Sequence, residues 1–421
     1  MIRHDNPIKC LLGRLGPGLI TGASDDDPSG IGTYSQAGAA LGYATLWTAV
    51  LTLPLMIVVQ HICAKIGMCS GQGLAGVLRQ YYPRWLLYPT VLGLVIANTI
   101  NAGADIAAIS AAINMFVPLP IWSMVVPNAV AILALQIWGS YRLIVRVFKW
   151  LTLSLFAYVI AAFLAHPNWS EVLRATFLPQ IQLNGQYVTT IVAILGTTIS
   201  PYLFFWEASE EVEEEKSEGR RSVAQRKGAT NAEIRKEKID TITGMIFCNV
   251  VFYFVIVSAG ATLHATGQTD IQSATEAAQA LTPLAGKFAT VLFAIGLIGA
   301  GLLAVPVLTG SAAYAVAETF GWPSGLDEKP RHAKKFYGVI ALSTLVGVGI
   351  DFLGINPITA LLWTAVINGV AAPPLLVVVM LVANNKQAMG ERTNGVFTNI
   401  FGWLAAAIMF AAAIGMFITW G

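Results

Sequence analysis

The chain has 421 residues, of which 56% are hydrophobic and 11% charged, whereas a soluble domain carries about 25% charged residues. So few charges cannot cover so much apolar surface in water, which excludes an ordinary soluble fold and leaves a single membrane domain. The formal net charge of +2 is close to balance and points to no nucleic-acid partner; the expected partners are the lipid bilayer and a small solute, with oligomeric state left open and a monomer sufficient.

A bilayer core requires about 20 apolar residues per helix. That window gives eleven predicted spans, at residues 15–40, 43–64, 86–116, 121–140, 148–166, 187–208, 240–264, 281–316, 335–353, 357–383 and 396–420. The expected class is therefore an all-α polytopic membrane protein. Lys and Arg are retained on the cytoplasmic side of short loops. With the amino terminus inside, 23 of the 25 basic residues fall in cytoplasmic segments, from Arg3, Lys9 and Arg14 through Arg142, Arg146 and Lys149 to Lys386 and Arg392. Only Arg174 and Lys287 fall outside. The carboxyl terminus then lies outside, and the expected location is the inner membrane of a bacterium.

Cys10, Cys63, Cys69 and Cys248 show no Cys-x-x-Cys pairing, so neither a disulfide framework nor a zinc site is expected. The first apolar stretch carries three aspartates and no small-residue cleavage site, unlike a removable signal peptide. Nothing in the chain matches a zinc-protease helix, a nucleophile elbow or a phosphate-binding loop, so no enzyme and no cofactor are expected.

The first span has Asp25-Asp26-Asp27-Pro28-Ser29-Gly30-Ile31-Gly32 at its centre. One Asp at a helix centre costs about 2.5–3.5 kcal/mol on the insertion scale, so the triplet cannot face lipid on a continuous helix. Unwinding is what Pro28, Gly30 and Gly32 permit, because proline removes a donor and glycine tolerates unusual dihedrals. Asp27, beside the break, is the first choice for a cation ligand, with Asp26 a further candidate and Asp25 a pathway or coupling candidate; Asp25 and Asp26 are alternatively expected to cap a half-helix or line a watery vestibule.

The sixth span repeats the pattern with Thr197-Thr198-Ile199-Ser200-Pro201-Tyr202. Breaks five spans apart predict a 5+5 inverted repeat, with one unit over about 15–166, a second over about 187–383 and an extra helix at 396–420. Interrupted helices at corresponding positions mark a transporter's midplane site. The charged stretch that follows, residues 207–239, is expected to be a solvated helix extension and linker. Glu207 at its start is expected to be solvated at the membrane edge or to line the inner pathway.

These residues resemble the NRAMP family of divalent-metal transporters, which carries Asp-Pro-Gly-Asn in span 1 and Ala-x-x-Met-Pro-His in span 6 within a LeuT-type fold. The resemblance implies that Asp27 ligates metal directly and that Thr197 supplies a carbonyl. The family's asparagine, methionine and histidine positions fall on Gly30, Ser200 and Tyr202. Thioether sulfur favours transition metals, whereas carboxylate, carbonyl and water suit Mg²⁺, Ca²⁺ and Mn²⁺. Replacing Met by Ser hardens the site, and Gly30 is expected to leave room for water, which suits Mg²⁺ because it dehydrates reluctantly. The sequence looks like the magnesium-transporting branch, so imported Mg²⁺, with Mn²⁺ also accepted, is the expected substrate. Asn101 and Ala104 occupy the positions where the family carries span 3 acids, which implies weak or absent proton coupling; the neighbouring Asp105 is read as a bundle carboxylate or a relay. Asn368 in span 10 stands as a candidate substitute for a family glutamine. Two alternatives are an orthodox proton-coupled Mn²⁺/Fe²⁺ importer and an organic-substrate symporter of the same fold; three aspartates at the break oppose the second.

Overall fold

The structure is a computed structural model that describes residues 17–117, 119–138, 151–271, 276–277, 282–326 and 328–419, with the backbone alone described at 17, 153 and 282–290. The basic residues Arg3, Lys9, Arg14, Arg142, Arg146 and Lys149, together with Cys10, fall outside the described residues, and the Lys287 side chain is not described.

Every described element is helical. In chain order these are α1 (Pro17–Asp25), α2 (Pro28–Leu41), α3 (Trp47–Ser70), α4 (Leu74–Tyr81), α5 (Arg84–Asn114), α6 (Ile121–Trp138), α7 (Phe156–Leu164), α8 (Trp169–Phe177), α9 (Gly185–Thr198), α10 (Pro201–Ser217), α11 (Val223–Arg226), α12 (Asn231–Thr262), α13 (Thr282–Phe320), α14 (Lys334–Asp351), α15 (Pro357–Ala383), α16 (Lys386–Met389) and α17 (Val396–Thr419). Eight segments among the described residues are long and apolar enough to cross a membrane. Three predicted windows are not among these eight. The first is split into α1 and α2, the fifth is described only from residue 151, and the ninth, α14, is a short helix that begins on two lysines. The element order is consistent with two five-span units followed by α17. Four short helices, α4, α8, α11 and α16, lie between spans, where apolar windows of bilayer length give no signal.

Local chemistry sets the helix ends. Thr230 and Glu233 form a reciprocal capping box that starts α12, with the Thr230 amide donating to Glu233 Oε2 at 2.7 Å, which satisfies donors the first turn leaves free. Asn184 Oδ1 accepts the Tyr187 amide at 2.8 Å to start α9. At the end of α3, Gly71 takes the left-handed conformation with φ +68° and returns its amide to Gly67, a conformation that glycine adopts without steric cost.

The expected helix extension forms and residues 217–236 are mostly exposed, but most of the acids at 207–215 are not solvated. α10 runs unbroken to Ser217, and Glu207, Glu210, Glu211, Glu213 and Glu215 are all buried, as are Glu237 and Asp240 facing them from α12. Part of this burial is compensated by pairing: Lys216 pairs with Glu213 and Arg220 with Glu215, while on the facing helix His61 Nδ1 meets Glu237 Oε2 at 2.7 Å and Thr241 Oγ1 donates to Glu237 Oε1 at 2.9 Å, and Lys236 pairs with Glu214. Lys65 reaches Asn394, Arg226 donates to the Gly71 carbonyl and Arg392 donates to Asn231. These contacts draw three of the expected basic segments to one end of the bundle.

α1 lies across α12, and the crossing is glycine on glycine. A Cβ at Gly22 would stand 2.2 Å from the Gly244 carbonyl oxygen, and one at Gly244 would stand 2.0 Å from that of Gly18. Small residues four apart let helix backbones approach where lipid supplies no hydrophobic drive. Asp240 of the same helix accepts the Gly18 amide at 2.9 Å, so α12 also caps the start of α1. Gly22→Ala must separate the two helices, and overpacking of this kind costs about 1–3 kcal/mol. Its melting temperature in detergent should fall by several degrees, while Gly93→Ala, with nothing within 4 Å of the new methyl, should melt at or above the parent. Equal melting of both variants would remove the crossing from its assigned role.

Candidate functional site at the two helix breaks

The chain leaves helical conformation at Asp26 and Asp27 and again at Ile199 and Ser200. Each following helix restarts with proline at its first position, Pro28 or Pro201, where the missing amide is no loss. Asp27 is extended, with φ −67° and ψ 167°. Only two residues are open at the first break, so Gly30 and Gly32 serve packing rather than unwinding. A Cβ at Gly30 would lie 3.3 Å from the Tyr34 ring and one at Gly32 3.3 Å from Leu361. The room for water expected at Gly30 is therefore filled by Tyr34.

Asp27 is the N-cap of α2. Its Oδ1 accepts the Gly30 amide at 2.6 Å and the Ser29 hydroxyl at 2.7 Å, while Oδ2 accepts the Asn101 amide at 2.9 Å. The capping role expected of Asp25 or Asp26 thus falls to Asp27, because only the residue just before Pro28 has the extended geometry that lets a side chain reach back to the third amide.

Asp25 and Asp26 are wholly buried and meet a partner the sequence did not suggest. The Cys248 thiol on α12 lies 3.3 Å from Asp25 Oδ2 and 3.5 Å from Asp26 Oδ1. Asp25 Oδ1 and Asp26 Oδ2 are buried without a hydrogen bond. Cys-x-x-Cys spacing could not reveal this thiol, since its neighbours are on another helix; the available cue is its place one turn beyond Gly244 in mid-span.

The second break closes on the first. Ser200 Oγ donates to the Thr197 carbonyl at 2.7 Å and to that of Gly196 at 3.2 Å, and it also faces Asp25. Tyr202 donates its hydroxyl to the Ser24 carbonyl at 2.7 Å, and its own carbonyl accepts the Ser311 hydroxyl at 2.7 Å. The carbonyl expected of Thr197 is present at the break but occupied by Ser200. Asp105 is buried beside Asp27 and the Ser29 amide, with neither carboxylate oxygen in a formed hydrogen bond.

The structure thus brings together Asp25, Asp26, Asp27, Gly30, Asn101, Asp105, Thr197, Ser200 and Tyr202. Two predicted residues stand apart from this group. Glu207 sits further along α10, wholly buried, and its Oε2 accepts a hydrogen bond from Thr21 on α1, so the expected solvation at the membrane edge does not occur. Asn368 is buried on α15, a helix that packs on both α9 and α2, and makes no hydrogen bond to Asp27, Thr197 or Ser200. Residues the sequence reading missed are Cys248, Thr21, Ser311 and Tyr34, which fills the Gly30 flank and faces Thr197. Among the described residues, no three His, Cys, Asp or Glu side chains converge as a finished metal cage. What converges is a set of buried carboxylate, carbonyl, hydroxyl and amide oxygens with one sulfur.

An all-helical membrane bundle with two spans opened against each other defines a transporter of the LeuT-fold class. The family model described as natural resistance-associated macrophage protein-like matches residues 18–419, and the chain belongs to this Nramp family of transporters; it is not an enzyme. A relative from Deinococcus radiodurans named divalent metal cation transporter MntH is 25% identical over 410 residues, covering 96% of this chain and 89% of the relative. A protein of the same name from Klebsiella pneumoniae is 27% identical over 410 residues, covering 95% of this chain and 92% of the relative. A solved manganese transporter from Eremococcus coleocola superposes with TM-score 0.75 at 18% identity, over 100% of this chain and 88% of that one. Mhp1, a nucleobase-cation-symport-1 family transporter, superposes with TM-score 0.55 at 14% identity, over 96% of this chain and 92% of that one. At these identities the two structures show the shared fold.

Asp27→Ala removes the cap and leaves the Gly30 amide unpaired, at a cost of about 0.5–2 kcal/mol, whereas Asn caps nearly as well as Asp. Thermal unfolding in detergent should therefore place Asp27→Ala below Asp27→Asn. Coincident transitions would mean that the cap contributes nothing to the fold.

Proposed function

We propose that the protein is a secondary transporter that imports a divalent metal cation by alternating access through the paired breaks, with Mn²⁺ as its leading substrate. The observation that carries this reading is the group of three buried acidic side chains at an opened helix, faced by the second break and by no Lys or Arg partner among the described residues. An intramembrane carboxylate is by default a functional group, since its burial is otherwise costly. Family membership and the names of the relatives support divalent metal as the substrate class, and the manganese transporter of like fold supports Mn²⁺. The sequence reading put Mg²⁺ first because Ser200 replaces a methionine. Cys248 weakens that argument, since a sulfur stands at the break from another helix.

The sequence-based ligand set is Asp26 and Asp27 with the Thr197 carbonyl, the Ser200 hydroxyl, Gly30 at their flank and Asn368 on α15; the burial of Asp25 beside Ser200 supports adding it to that set. Asn101 and Ala104, where the family carries acids, support uptake driven by the membrane potential, worth about 2.3 kcal/mol per charge per 100 mV. The basic segments gathered at one end support a bacterial inner-membrane protein with that end in the cytoplasm and its amino terminus inside.

Purified protein in liposomes under an inside-negative potential should accumulate Mn²⁺, with Mg²⁺ competing only at far higher concentration and with no metal-dependent acidification of the lumen. Asp26→Asn should reduce uptake at least tenfold, about 1.4 kcal/mol of lost interaction. Preferential Mg²⁺ uptake would return the substrate to the harder ion. Absence of any divalent-metal uptake would end the proposal.

A further inference from the structure

We infer that Cys248 is a metal donor of this site: together with Asp25 and Asp26 it forms a mixed oxygen–sulfur subsite that selects for softer divalent cations. The inference rests on the transport reading above and names the group that sets its selectivity.

Three observations converge on it. The thiol is wholly buried, and the acceptors it reaches are the two aspartates. Each of those aspartates has a second oxygen buried without a hydrogen bond, so neither carboxylate is satisfied by the protein alone. The distances also match. Metal–sulfur bonds of about 2.3 Å and metal–oxygen bonds of about 2.0–2.2 Å place sulfur and oxygen roughly 3.1–3.6 Å apart across one ion, for angles between a right angle and tetrahedral. The sulfur–oxygen distances here are 3.3 and 3.5 Å. Turning the two carboxylates on their side-chain bonds is the movement that closes the set on an ion, and coordination releases the thiol proton, as for any thiol ligand.

This arrangement divides the three aspartates. Asp27 has both oxygens committed to Ser29, Gly30 and Asn101, and it holds the start of α2. Asp25 and Asp26 are the two with coordination left to give. Thiolate draws the site toward transition-metal and Cd²⁺-like ions, whereas an all-oxygen set suits Mg²⁺.

The test uses Cd²⁺ as a soft probe against Mn²⁺ in liposome uptake by the full chain, beside Cys248→Ser and Cys69→Ser. The ratio of Cd²⁺ to Mn²⁺ inhibition constants should shift at least tenfold against Cd²⁺ in Cys248→Ser and stay at the parent value in Cys69→Ser. Cd²⁺ added to the detergent-solubilised parent should produce a thiolate-to-metal ultraviolet band that Cys248→Ser lacks. A monodisperse Cys248→Ser with an unchanged ratio and an unchanged band overturns the inference while leaving metal transport standing. Should that variant not fold, protection of Cys248 by Cd²⁺ from a small thiol reagent in the unaltered chain decides the matter, and modification at the same rate with and without Cd²⁺ overturns it. If the parent carries no metal but shows the band, the transport reading fails and the subsite stands.

Discussion

The approach of α1 to α12 through Gly18, Gly22 and Gly244 is the contact on which the site depends. With a Cβ at Gly22 only 2.2 Å from the opposing carbonyl, no other residue allows the two backbones this separation. One turn beyond Gly244 on α12 is Cys248, and one turn beyond Gly22 are Asp25, the last residue of α1, and Asp26 at the break. The glycine crossing therefore sets the distance between thiol and carboxylates. Asp240, one turn before Gly244, fixes the other end of the same contact by accepting the Gly18 amide. A single face of α12 thus caps α1, packs against it and furnishes a donor where α1 ends.

The second constraint is electrostatic. Carboxylates at the middle of a bundle are tolerated when hydrogen bonds or cations compensate them, and removing one partner of such a group is costly. Along α10 and α12 the compensation is internal: His61, Lys216 and Lys236 pair with glutamates at the bundle end, and Arg220 adds pairs to Glu233 and Glu215. At the breaks it is graded. Asp27 is satisfied by the amide and hydroxyl groups around it, Asp25 and Asp26 share one thiol, and Asp105 has the Ser29 amide and Asp27 for neighbours. The end of the bundle is built as a stable charged lattice, while the middle keeps acidic oxygen in reserve.

Much of the fold was legible because bilayer thickness imposes a length on apolar segments and because proline beside acidic or hydroxyl residues cannot continue a lipid-facing helix. Asp27-Pro28 and Ser200-Pro201 were therefore located to within a residue. The extent of unwinding was not legible: Gly30 and Gly32 read as flexible, yet their use is to admit Tyr34 and Leu361. Nor was the burial of Glu207 to Glu215, since a run of like charges looks solvated until the fold packs α3 over it and sets Thr21, Lys216 and Arg220 beside Glu207, Glu213 and Glu215. Cys248 was illegible for the same reason, because its meaning comes from a contact 222 residues away in sequence.

Hydrogen bonds that join the two breaks bear on how such a site moves. Tyr202 holds the Ser24 carbonyl and Ser200 faces Asp25, so the last turn of α1 is tied to the start of α10. Thr21 and Glu207 extend the tie one turn further. α2, by contrast, is bound through Asp27 to Asn101 on α5. Both halves of the opened span pack on α12 and differ in their other ties, α1 to α10 and α2 to α5 and α15. A displacement of α1 with α10 relative to α5 would carry Asp25 and Asp26 away from Asp27 while leaving the α2 cap intact. The two non-helical residues 26–27 are the joint at which that separation falls. The capping aspartate stays with α2 and Asp25 goes with α1, so such a displacement would change the distance between those two carboxylates while Cys248 remains on the helix that both halves pack against. Under the proposed transport, a triplet in which Asp27 holds a helix start and Asp25 and Asp26 keep an oxygen without a hydrogen bond would let one short acidic sequence anchor α2 and still open around a cation.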